Sequence, residues 1–124
     1  MFGRRPDATL VTDASPMRRF MSYISPRRVD GLVYFAQEID VTAALALVER
    51  DNANRPTGSK RTLFHLMLRA MAIALHERPR MNRFTAGGKL WQRNGVWITF
   101  SAKKRISDDS QLVTIKREFD ANES

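Results

Sequence analysis

A chain of 124 residues, 43% of them hydrophobic, can bury one core and is short for two domains. It has no cysteine, which excludes disulfides, thiolate nucleophiles and cysteine-based zinc sites. Its 21 basic and 13 acidic residues give a net charge of +8 that would favour anionic partners, but the basic residues fall singly or in short groups (Arg4-Arg5, Arg18-Arg19, Arg27-Arg28, Lys60-Arg61, Lys103-Lys104-Arg105), so no nucleic-acid tail is visible and nucleic acid is not the expected partner.

No apolar run reaches the roughly 18 residues that cross a bilayer, and Met1 to Pro6 lacks the apolar stretch of a secretion signal. A cytoplasmic protein without membrane contact is expected. Residues 1–15 are polar, carry Gly3 and Pro6, and read as an extended arm that needs a larger body to lie on. From Ser15-Pro16 the pattern turns helical: Ser15 can cap, Pro16 suits the first helical position, and Met17, Phe20, Met21 and Ile24 recur at helical spacing until Pro26.

Beyond Gly31 the run from Leu32 to Val41 is β-branched and aromatic with little alternation, which predicts a strand inside a sheet, covered on both faces. Thr42 then caps a short helix that ends in the loop from Asn52 to Gly58. From about Thr62 to Arg78 a helix is apolar over most of its circumference, as a central buried helix would be, until Pro79 stops it. Gly87-Gly88 reads as a turn, because it lacks the spaced glycines and Lys-Ser or Lys-Thr step of a phosphate loop. Asn94-Gly95, set between Lys89–Arg93 and Val96–Lys103, predicts a type I′ hairpin whose second strand turns Val96, Ile98, Phe100 and Ala102 to one face. A last strand, Leu112 to Arg117, follows a turn at Ser107 to Ser110, and the end from Asp120 to Ser124 reads as a polar connector.

Three segments in this order resemble the catalytic domain of the acyltransferase (E2) subunits of 2-oxoacid dehydrogenase complexes, a branch of the chloramphenicol-acetyltransferase-like superfamily: Pro16 to Met21 with its Met-Arg pair, Val33 to Thr42 with its Asp-Val step, and Thr62 to Phe84 with its Glu-x-Pro-x-x-Asn turn. The strand pair around Gly87-Gly88-Lys89 and Trp97 to Ala102 is similar to the strands that follow in that family. The resemblance covers residues 16–124 and only the N-terminal half of the family's domain. It implies an α/β fold, an α+β two-layer sandwich with a mixed sheet and helices on one side. It also implies transfer of an acyl group between CoA and a carrier thiol, lipoamide supplied by another domain or chain, a trimer-based homo-oligomer, a lipoyl or carrier domain as partner, and no metal. The family's His-x-x-x-Asp-Gly motif, which supplies the general base, is absent here, so no catalytic residue is expected in this chain. The alternative is a non-catalytic interaction or oligomerisation module derived from the same fold.

The family uses an arginine of the first helix to hold the aspartate of that motif, a pairing suited to guanidinium, which makes Arg18 and Arg19 the candidate active-site supports. The pattern does not say which, and two exposed arginines on an amphipathic helix would look the same. His65 and His76, eleven residues apart on the long helix, are too far apart to share a metal; a capping His65 and a solvated His76 are the commoner uses. Lys103-Lys104-Arg105 could meet CoA phosphates, and Trp91 with Trp97 would pack across the predicted hairpin.

Overall fold

In a computed structural model of the chain, which describes residues 5–103 and 111–121, three helices and five strands follow one another as β1 (Ala8–Leu10), α1 (Pro16–Ile24), α2 (Thr42–Asn52), α3 (Leu63–Glu77), β2 (Arg83–Ala86), β3 (Lys89–Arg93), β4 (Trp97–Lys103) and β5 (Leu112–Glu118). Lys104-Arg105, the Ser107 to Ser110 turn, residues 1–4 and residues 122–124 lie outside the described residues. Helices and antiparallel strands are both present, as expected for a mixed α and β chain. The strands make two small antiparallel sheets, ordered β1-β3-β2 and β4-β5, where one mixed sheet was expected.

The first sheet is closed by Gly87 (φ 59°) and Gly88 (φ 67°), so the tight hairpin joins β2 to β3. The hairpin predicted at Asn94-Gly95 does not form: β3 pairs with β1 and β2, β4 pairs with β5, and no residue other than these two glycines has positive φ among those described. Both dipeptides can supply such a turn, but two glycines do so without a Cβ penalty, and Asn94 is occupied elsewhere. Its backbone N–H donates to Asp7 O, its side-chain amide donates to Pro6 O, and its Oδ1 accepts from Thr9 Oγ1 at 2.9 Å, which fastens the arm carrying β1. Trp91 and Trp97 consequently stand in different sheets and do not stack. Trp91 is buried and donates to Ala86 O, whereas Trp97 is exposed with Lys116 Nζ 5.1 Å over its ring.

In the second sheet the alternation in β4 is retained, and Val96, Ile98 and Phe100 turn towards α3, packing with Phe119 against Leu68, Ala72 and Leu75. Ala72 is 0% exposed at this crossing, so a larger side chain there would force helix and sheet apart at a cost of about 1–3 kcal/mol. Asn82 donates to Gly95 O and Gln92 to Pro79 O, tying the 3-10 turn Pro79–Asn82 to β3 and to the link between the sheets.

Two further expectations are corrected. The run Leu32 to Val41 belongs to no sheet, and it is exposed throughout, with Tyr34 at 89% and Phe35 at 84%. Helix α3 is not wrapped on all sides either: only Leu68 and Ala72 are buried, while Phe64, Met67, Met71 and Ile73 remain open. The physical reason is shared. Both segments have the composition of elements covered on every side, and the described residues supply cover for only one face of α3 and for neither face of 32–41. The surface reflects this, since the chain exposes 10960 Å² whereas a compact monomer of 14.2 kDa would expose about 6,800 Å².

Candidate functional site

An open groove of about 700 Å³ lies between α2, α3 and the β4–β5 sheet. Its floor is apolar, built from Leu47, Leu66, Leu68, Phe100, Ile115 and Phe119. The floor exists because the helical period of α3 and the twofold period of β4 and β5 each turn an apolar stripe inwards. Charged groups mark its rim: Asp51, Arg61, Arg69 and Arg117, with His65 at the start of α3.

Several of these groups are held. Arg61 Nη1 lies 3.4 Å from Asp51 Oδ2, which also takes Arg55 Nε at 3.0 Å, so one carboxylate anchors two guanidinium groups. The Asn52 side chain pairs with the backbone of Arg61 in both directions, each bond 2.7 Å, and closes the loop between α2 and α3. Arg69 donates to Asp120 O and Ala121 O and holds the chain after β5 over the helix.

His65 serves the start of α3. The Thr62 backbone N–H donates to its Nδ1 at 3.1 Å; an N–H can only donate, so Nδ1 is unprotonated and the neutral ring carries its proton on Nε2. His76 is half-buried rather than solvated, with Nε2 donating to Phe119 O at 2.8 Å. The two imidazoles therefore cap a helix and brace the end of a strand; Thr62 Oγ1, 2.8 Å from His65 Nδ1, belongs to the same capping arrangement. Among the described residues no three His, Cys, Asp or Glu side chains are grouped to hold a metal ion. No helix among them is long and apolar enough to cross a membrane.

No family model, curated protein or solved structure matches this chain.

The two arginines of α1 are separated by their surroundings. Arg19 donates to Ala14 O at 2.9 Å and to Thr12 O at 2.6 Å, fixing the turn by which the arm enters the helix. Arg18 is exposed, its backbone N–H held by Ser15 Oγ, and its guanidinium has no partner among the described residues. Neither arginine lines the groove. Lys103 ends β4, and its neighbours Lys104 and Arg105 are not described.

Arg61, Arg69 and Asp51 did not stand out as site residues in the sequence. One signal was available for Arg69: between Leu63 and Leu75 it is the only ordinarily charged residue of α3, and a lone charge in an apolar helix needs a stated use. For Arg61 and Asp51, ten residues apart across a loop, no local pattern gives the meeting.

Proposed function

We propose that this chain is one half of an acyltransferase-type domain, which in combination with a second half passes an acyl group between CoA and a carrier thiol. The observation that carries the proposal is the uncovered apolar surface of α3 and of residues 32–41. These are the two elements that the family resemblance would place inside the domain, and they are left open in a half-domain. The chloramphenicol-acetyltransferase-like fold, the trimer-based assembly and a lipoyl or carrier partner belong to this proposal.

The groove fits the chemistry of CoA. Its apolar floor suits a pantetheine arm or acyl chain, and Arg61, with Arg117 beyond it, offers positive charge for phosphates at the rim. Bound there, an acyl-CoA would supply the thioester whose carbonyl carbon a carrier thiol can attack. The residues of this chain orient and bind; the base that takes the thiol proton and returns it to the departing CoA sulfur comes from outside the sequence, which lacks His-x-x-x-Asp-Gly. Arg18, whose guanidinium is available where that of Arg19 is committed, is the group that would hold that motif's aspartate.

A test joins this chain to the second half of a characterised acyltransferase domain carrying the His-x-x-x-Asp-Gly motif. Acyl transfer from acetyl-CoA to dihydrolipoamide is then followed. The fusion should turn over. Arg18→Ala should lower kcat at least about tenfold, the loss of one charge-assisted pairing, while Arg61→Ala should raise the KM for acetyl-CoA. A fusion that folds but transfers nothing, with no binding of CoA by calorimetry, would leave the non-catalytic interaction module in its place.

A further inference from the structure

We infer that residues 32–41 are a donated strand, and that two copies of this chain associate by each laying that segment along the open edge of β5 in the other. This does not rest on the acyltransferase proposal, because it is argued from the backbone of residues 32–41 and the edge of β5 and holds whether or not the chain takes part in catalysis.

One partner in this pairing is the segment itself. From Val33 to Ile39 no backbone group finds a backbone partner among the described residues, and Val33, Tyr34, Phe35 and Ile39 are all more than 70% exposed. Unpaired backbone beside large apolar side chains is the state of a strand lacking its sheet, and β-branched and aromatic residues fit a pleated surface better than water.

The other partner is β5. Among the described residues it pairs with β4 on one side only, its residues are exposed throughout, and Phe119 N–H donates to Val96 O at 2.9 Å as the ladder continues. With Val96 and Phe119 a bonded pair, the alternation of an antiparallel ladder aims the backbone groups of Leu112, Thr114, Lys116 and Glu118 away from β4. That is an edge able to accept a strand.

Shape and charge then match. In an extended segment Val33, Phe35 and Ile39 share one face, and Tyr34, Glu38 and Asp40 share the other. Set against β5, the first face continues the apolar floor beyond Ile115, and the second lies beside Lys116. An antiparallel register with Glu38 opposite Lys116 places Ala36, not an acid, opposite Glu118. The stretch from Val29 to Glu49 holds Asp30, Glu38, Asp40 and Glu49 and no Lys or Arg, an acidic and apolar island in a chain of charge +8. Such an island has its complement on the same molecule's basic strand, so a reciprocal exchange satisfies both copies and closes as a twofold dimer.

The test uses the full chain. Sedimentation across protein concentration should show a reversible step from 14.2 kDa to twice that mass. Phe35→Asp should abolish it, Lys116→Glu should weaken it about tenfold, and Glu38→Lys combined with Lys116→Glu should restore it. Because the chain has no cysteine, Ala36→Cys and Glu118→Cys chains of different mass can be mixed and oxidised, and a mixed disulfide is expected from their facing positions in this register. A monomer at every concentration, association indifferent to Phe35→Asp, no rescue by the charge exchange, or closure of the disulfide within one doubly substituted chain would each overturn the inference.

Discussion

Asp40 accepts two hydrogen bonds from the residue two places on, from Thr42 Oγ1 at 2.6 Å and Thr42 N–H at 2.9 Å. The hydroxyl first and the N–H second hold its carboxyl below the ordinary value for aspartate. The sequence pointed to Thr42 as the cap of α2, whereas Asp40 is the acceptor, a displacement that periodicity alone does not resolve. Because the folded value lies below the unfolded one, the stabilisation is present above the unfolded pKa and disappears as pH falls through the folded value. Carboxyl chemical shifts should therefore place the Asp40 midpoint below the ordinary aspartate value, and Thr42→Val should move it up towards that value. An unchanged midpoint in Thr42→Val would contradict the assignment. At this scale the capping use of His65 was legible, while the brace from His76 to Phe119 was not, because it joins residues 43 apart in sequence.

Among the elements, the first sheet shows what local patterns leave open. Lys89–Arg93 is flanked by two turn-forming dipeptides, and the sequence favoured the wrong one, Asn94-Gly95; the choice follows from Arg83–Ala86 offering a partner strand and from Asn94 being drawn to the arm. Gly88→Ala should therefore lower stability by about 1–2 kcal/mol, since an L-residue is strained at φ 67°, while Gly58→Ala, with open space around it and no positive φ, should stay within about 0.5 kcal/mol. Urea denaturation of the two variants checks this. Equal effects would mean that the turn is not where the structure has it. Helix α3 teaches a similar point. Its apolar circumference was plain in the sequence, but the composition of a helix records how much cover it needs and not which chain provides it.

For the whole molecule, the uncovered faces of α3, of α1 at Met17 and Phe20, and of residues 32–41 form apolar surface of the kind that marks association sites. The mixed α and β class was legible from the alternation of periods along the chain. The arrangement into two small sheets was not, since it depends on which strand edges meet. The most direct measurement is amide hydrogen exchange of residues 32–41 by mass spectrometry at low and high protein concentration. The expected result is rapid exchange in the dilute chain and clear protection once copies associate, with a matching gain at Leu112–Glu118. Protection of 32–41 that is already complete at high dilution would contradict it, because the strand would then have its partner within the single chain.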